Sequence, residues 1–375
     1  MPKKILFLFH EDSKSGAPNA LLSFLNYIKE HHHKDFLIDI FVLNSKKGIE
    51  AELRSVSRNF FIKRKKKNLI GKIAKVFNPS IKLIHLLHKY DLVYGNTVLT
   101  LKYLATLKQQ NSSLKTILHV HESTFMCSIL LNEEQAIHQF KQIDQIITVS
   151  QAAVHNLVQN YHINKDLISI IYPTIQNSPL TPSKIESKHK NVLNIVTIGH
   201  PNLTKGTDLI PQIASILKSR NNSLNFKFFI VGVLNENEYI KSIKLDIQKL
   251  NLNNYIELIP HTNTPEKFLE IADIFLIPSR EDSFSLVGIE AAYNNKPIVA
   301  FNNAIGLQDI LNKDCIFLAE YLNLYDVVTQ IELIINNPSL TIQKQTLAKL
   351  KCEEFLNFET VNKKQLLILK NLLNN

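Results

Sequence analysis

The sequence predicts an α/β protein of two doubly wound, Rossmann-like domains facing a central cleft. Three observations carry that expectation. A chain of 375 residues is too long for one ordinary core and suits two domains. Short β-branched and aliphatic runs alternate with longer helical patterns throughout, as βα units around parallel sheets buried on both faces require. Finally, residues 177–190 (NSPLTPSKIESKHK) are polar, contain proline and lack a hydrophobic period, so they read as a linker. The expected domains are 1–178 and 188–357. Open α/β sheets place ligands outside the carboxyl ends of their strands, so two such sheets facing one another would enclose a site between them.

The first domain's strands are expected at 5–9, 39–43, 92–94, 116–120, 145–149 and 168–171, and the second domain's at 194–198, 227–231, 255–258, 274–277 and 297–301. Each set suffices for one doubly wound sheet. The opening MPKKILFLFHED has a basic start and a short apolar run, but acids follow at once and no small-residue cleavage site is present. It reads as a first strand rather than a signal peptide. No apolar run approaches the roughly 20 residues that span a bilayer. The three cysteines, Cys127, Cys315 and Cys352, are far apart and odd in number, as expected of reduced thiols in a cytoplasmic protein.

The net charge of +10 is unevenly placed. Residues 1–180 carry 23 Lys and Arg against 13 Asp and Glu, whereas residues 181–375 carry 20 of each. Much of the excess falls in 54–75, where Arg54, Arg58, Lys63, Arg64, Lys65, Lys66, Lys67, Lys72 and Lys75 occur without one acid. Leu69, Ile70, Ile73, Val76 and Phe77 follow at helical spacing. Residues 54–77 therefore read either as a cationic amphipathic helix on an anionic membrane surface or as a solvated lysine-rich face. A nucleic-acid-binding protein draws on the charge alone and lacks both stacking aromatics and a recognisable motif.

Four segments carry residues fit for chemistry. In 274–291 (IFLIPSREDSFSLVGIEA) a buried strand runs into a polar turn and then an apolar helix. A helix starting near Ser285, Leu286 and Val287 would aim free N–H groups and its positive end at a diphosphate. Glu290, two turns further on, and Asp282 or Glu281 in the turn are carboxylates placed to accept from a ligand's hydroxyls. The plain alternative is a solvated acidic turn and an ordinary helix Glu. In 194–209 (NIVTIGHPNLTKGTDL) a strand and glycine turn precede Lys205, a point charge suited to phosphate, or simply a surface helix start.

In 115–125 (KTILHVHESTF) strand alternation points His119 and His121 the same way. A zinc site would need a third ligand, which no supporting spacing supplies. In 9–22 (FHEDSKSGAPNALL) Gly16 precedes a helix, without the three glycines of a dinucleotide fingerprint. Asn96 and Ser150 follow strands and read either as site-lining groups or as caps.

On these residues the chain resembles the retaining GT-B glycosyltransferases of family 4, from about residue 3 to about residue 310. Their signature is an acid, a turn containing Phe, and a Glu on the following helix, then a Lys/Gly-Pro strand. Asp282, Phe284, Glu290 and Lys296–Pro297–Ile298–Val299 hold those positions. The first acid is usually Glu in the family, and here Glu281 precedes Asp282, so either carboxylate could meet the donor sugar. The resemblance implies that Lys205 neutralises the leaving diphosphate, with His200 where an Arg is usual. It implies further that His121 hydrogen-bonds the donor sugar near the reacting carbon, with His119 behind it, and that Gly16 allows close backbone approach.

The activity so implied is transfer of a sugar, with retention, from a UDP- or GDP-type nucleotide sugar to an acceptor glycan or lipid-linked sugar in cell-envelope polysaccharide or glycolipid synthesis. The first domain would be the acceptor side, the second the donor side, and the last helix, about 358–375, would pack back on the first. No cofactor and no metal are expected, since no Asp-x-Asp motif lies beside a strand. The enzyme would be cytoplasmic, either free or peripheral on the inner face of the plasma membrane. Sugar-nucleotide epimerases share the architecture, and fold alone does not fix the reaction.

Overall fold

The computed structural model describes residues 1–63, 89–175 and 192–374. The expected linker at 177–190 and most of the basic stretch, from residue 64 on, lie outside them. The chain divides into two compact units, Met1–Pro173 with Glu359–Asn375, and Thr174–Phe358.

The first unit is built on seven parallel strands: β1 (Lys3–Glu11), β2 (Phe36–Asn44), β3 (Asn59–Ile62), β4 (Leu92–Asn96), β5 (Lys115–Val120), β6 (Gln145–Thr148) and β7 (Ile168–Ile170). Their order is β3-β2-β1-β4-β5-β6-β7. Residues 5 to 9 of β1 are completely buried, because helices cover both faces of the sheet. A continuous apolar run is therefore the right sequence for this strand. The helix Gly16–His32 covers one face with Leu21, Leu22, Phe24, Leu25 and Ile28, positions that recur at helical spacing. From β1 the chain winds first through β2 and β3, then returns to β4 on β1's other side. The carboxyl ends of β1 and β4 therefore form the topological switch point, where this class of sheet takes its ligand.

The strand β3 was not legible in the sequence. It lies inside the basic stretch, and the fold absorbs the cations around it. Arg58 makes a forked pair with Asp39 at 2.7 and 3.0 Å, and Tyr90 donates to the same carboxylate at 2.8 Å. Asp39 is 2% exposed, and a buried carboxylate needs such partners. Arg54 bonds Glu50 and stacks over Phe60. Residues 54–63 are thus a helix end and an edge strand, neither part of one amphipathic helix nor one solvated face.

The last helix, Phe358–Asn374, packs with the first unit: Gln365 donates to the Tyr94 hydroxyl at 2.8 Å and Lys370 pairs with Asp35 at 3.3 Å. Both Tyr94 and Gln365 are buried.

The second unit repeats the winding on six parallel strands: β8 (Leu193–Ile198), β9 (Phe226–Val233), β10 (Ile256–Pro260), β11 (Ile274–Ile277), β12 (Ile298–Phe301) and β13 (Phe317–Ala319), in the order β10-β9-β8-β11-β12-β13. The switch point falls between β8 and β11, which the Thr197 hydroxyl also ties by donating to the Leu276 carbonyl at 2.8 Å. The edge strand β13, three residues long, was not anticipated. Among the described residues no helix is long and apolar enough to cross a membrane.

Candidate active site

At the β8/β11 switch point the second unit has a recess lined by Thr197, Gly199, Lys205, Pro278, Asp282 and Val287, among others. One wall is the start of the helix Leu286–Tyr293. Ser285 caps that helix, its hydroxyl accepting from the Gly288 N–H at 3.3 Å. The N–H groups of Leu286 and Val287 lie in the first turn, where no intrahelical carbonyl is within reach. They and the helix dipole make this end of the recess attractive to an anion.

The opposite wall is the loop 199–207, and it is bolted in place. The amides of Arg280 and Glu281 donate to the Thr204 carbonyl at 2.8 and 3.2 Å. The Arg280 guanidinium bonds the Leu203 carbonyl at 2.9 Å and forks onto Asp208 at 2.7 Å twice. Tyr239 donates from its hydroxyl into the same cluster, 2.6 Å from Asp208 and 2.8 Å from the Asn202 carbonyl. At Gly206 the backbone is left-handed, φ 63°, and an added Cβ would lie 1.9 Å from the Pro278 carbonyl oxygen. Only glycine lets the loop sit this close to the end of β11.

These contacts set Lys205 against Asp282, with Nζ 2.6 Å from Oδ2. Asp282 is itself pinned, its amide donating to Ala304 and its carbonyl accepting from Gly306, at 2.8 and 2.9 Å. Glu290 is half-buried on the same helix, and burial, with a smaller contribution from the charge of Glu266, raises its pKa to about 6. It is the fifth residue of that helix, little more than one turn from the start rather than two.

The first unit gathers a second set at its own switch point. His121 follows β5 and is half-buried, with Nε2 2.9 Å from the Asn96 carboxamide oxygen, while Asn96 donates to the Ala17 carbonyl at 3.1 Å. The His119 ring stacks 3.9 Å from that of His121 and its Nδ1 is 2.9 Å from the Tyr94 hydroxyl. Burial holds both imidazoles neutral: His121 is depressed to about 3, with His10 adding to the effect, and His119 is also well below its usual range. Glu122 accepts from the amides of Val98 and His121 at 3.2 and 3.0 Å. Burial outweighs those bonds and pushes its carboxyl up to about 7. Thr97 and Ser285 adopt left-handed backbone, φ 78° and 71°, a strained choice for residues with a side chain and one that concentrates at functional sites. Among the described residues no group of three or more His, Cys, Asp or Glu side chains is arranged to hold a metal ion.

Residues 22–177 match the family model described as Glycosyltransferase Family 4, and residues 182–349 match that of Glycosyl transferases group 1. The chain belongs to the family 4, group 1 glycosyltransferases. An uncharacterized glycosyltransferase of Haemophilus influenzae is 30% identical to this one over 56% of the chain and 57% of its own length. A poly(ribitol-phosphate) alpha-N-acetylglucosaminyltransferase of Staphylococcus aureus is 25% identical over 63% of the chain and 45% of its own. The matched region thus spans about half the length of these curated relatives. Among solved structures, Anabaena HepE, crystallised with UDP and glucose, superposes with a TM-score of 0.81 at 18% identity, covering 98% of this chain and 100% of the other. That likeness gives the glycosyltransferase its GT-B fold.

Within this glycosyltransferase the second unit brings together Lys205, Asp282, Ser285, Leu286 and Val287 around one recess, with Glu290 on the same helix. His200 is exposed on the loop after β8. Glu281 donates its amide to the Lys205 loop. Gly16 opens its helix at the carboxyl end of β1, and His121 stands at that of β5. Ser150 is a buried helix cap, bonded to the Ala153 amide, and Lys296 bonds the carbonyls of Glu270 and Ala272. Sequence reasoning missed Arg280, Asp208 and Tyr239. Their partners lie 31 to 77 positions apart, and no local period reports such a pairing.

Proposed function

We propose that this protein transfers a sugar, with retention and without a metal, from a nucleoside-diphosphate sugar to an acceptor in cell-envelope polysaccharide synthesis. One observation carries the reading: an open helix N-terminus and a lysine, Lys205, line the same recess at the switch point of the second unit. In glycosyl transfer the leaving diphosphate gathers charge as the anomeric carbon becomes positive, so donors fixed in advance around it supply most of the catalysis. Lys205 leaves Asp282 for the phosphate when donor binds, and Asp282 is then free to accept from a sugar hydroxyl. Glu290 accepts from ribose. A departing phosphate held in this way can take the acceptor's proton on the same face of the sugar, which gives retention.

The crystallised UDP of Anabaena HepE favours a UDP-type donor, with GDP-type as the alternative. The poly(ribitol-phosphate) substrate in the name of the Staphylococcus relative favours a polymeric envelope acceptor. A thermal-shift series with UDP-, GDP- and ADP-sugars tests the reading, because ligand at 100 times Kd stabilises the native state by about 2.7 kcal/mol. One nucleotide class should shift the transition strongly, and Lys205→Ala should weaken that binding at least tenfold. Equal binding by the variant, or loss of turnover in EDTA, would refute the scheme.

A further inference from the structure

We propose that the loops at the carboxyl edge of the first unit hold an acceptor chain bearing phosphodiester charges, through Lys14, Lys46 and Lys47. The inference rests on the reading of this unit as the acceptor side and names the acceptor's chemistry. All three lysines are exposed. Lys14 follows β1, and Lys46 and Lys47 follow its neighbour β2, so they flank the switch point on one side while Asn96 and His121 flank it on the other.

The two loops are clamped together. The buried Asp12 carboxylate accepts from the amides of Lys46 and Lys47 and from the Ser45 hydroxyl, and the Asp12 carbonyl accepts from the amides of Gly48 and Ile49 at 3.0 and 2.8 Å. Gly48 lies so close that an added Cβ would meet the Asp12 carbonyl oxygen at 2.7 Å and the Lys14 amide at 2.9 Å. Lys47 is held at φ 58°, a conformation lysine avoids. This construction fixes the backbone from which the three exposed lysines project.

Nearby acids are engaged elsewhere: Glu11 accepts from Ser13 at 2.5 Å and Glu50 pairs with Arg54. Among the described residues, none of the three lysines forms an ion pair. Lys63, just past β3, extends the row, its Nζ 3.1 Å from the Tyr103 hydroxyl. The cations are lysines, while the guanidinium forks of Arg54 and Arg58 are committed to Glu50 and Asp39. The free cations on this rim are thus lysines, whose ammonium groups meet phosphate oxygens as point charges.

The test is fluorescence polarisation of two labelled oligomers of equal length, one a polyol phosphodiester and one a neutral glycan, added to full-length protein with UDP present. The phosphodiester should bind at least tenfold more tightly than the neutral chain, and more weakly as salt rises. Lys14→Glu, Lys46→Glu and Lys47→Glu combined should abolish the difference, and the matching Lys→Arg set should restore most of it. Melting temperature and UDP affinity should stay at wild-type values, which keeps the donor reading separate. Equal binding of both oligomers, or undiminished phosphodiester binding by the triple variant, would overturn the proposal. So would displacement of the labelled oligomer by vesicles of anionic lipid, which would give the rim to a membrane.

Discussion

The substitution Gly206→Ala tests whether the close approach of the Lys205 loop to the end of β11 is what builds the donor site. The backbone at Gly206 is left-handed, which costs a residue with a side chain about 1 kcal/mol. The new methyl would also lie 1.9 Å from the Pro278 carbonyl oxygen, more than 1 Å inside the roughly 3.3 Å of an ordinary carbon–oxygen contact. Proline cannot easily yield there, because β11 is buried and paired on both sides, so the loop must retreat. Retreat stretches the Arg280 and Glu281 amide bonds to Thr204, each contributing about 1 kcal/mol, for a total of about 3 kcal/mol. Urea denaturation followed by fluorescence should show that loss. A displaced Lys205 should also cost the donor reaction about 100-fold, the usual penalty for a 1 Å misplacement. An alanine variant with the wild-type urea midpoint and unchanged UDP-sugar turnover would show that the approach is incidental.

Arg280→Lys keeps the charge and loses the fork that joins Asp208 to the Leu203 carbonyl, so kcat/KM should fall about tenfold or more, with a smaller change in urea midpoint. Equal kinetics would remove Arg280 as the positioning residue for Lys205. Glu122→Gln should alter the pH dependence of stability. The folded carboxyl titrates near 7, above its ordinary 4.5, so its contribution is complete below the lower value and is lost as pH rises through the upper one. Glutamine can still accept from both amides but cannot ionise, so it should gain on wild type as pH rises from about 5 to about 8, by at most about 3 kcal/mol. A gap that stays constant or reverses sign would contradict the burial argument. If the basic residues from 64 on reach a membrane, liposomes containing acidic lipid should recover the protein by flotation and liposomes of neutral lipid should not; equal recovery on both would remove that reading. Charge reversal at Lys14, Lys46 and Lys47 should leave that flotation unchanged.

Both windings were legible because a parallel strand covered on two faces has to be apolar throughout, as residues 5 to 9 and Ile274–Ile277 are. The two strands that escaped notice lie at sheet edges, where pairing on one side only relaxes that demand. β3 is further obscured by cations that the fold neutralises one at a time, Arg58 through Asp39 and Arg54 through Glu50. The site divides in the same way. Lys205, Asp282 and the helix start at Ser285 fall within short segments next to strands, so their order along the chain reveals them. Arg280, Asp208 and Tyr239 act by joining segments that only the folded sheet makes neighbours. Glu122 adjoins His121 in sequence, yet its proton affinity depends on burial beside the amides of Val98 and His121, a property of the packed strand ends. Residues that line the recess could thus be found from local pattern, whereas those that fix their geometry could not: the constraint at Gly206, where an added Cβ would lie 1.9 Å from the Pro278 carbonyl oxygen, exists only in the folded loop.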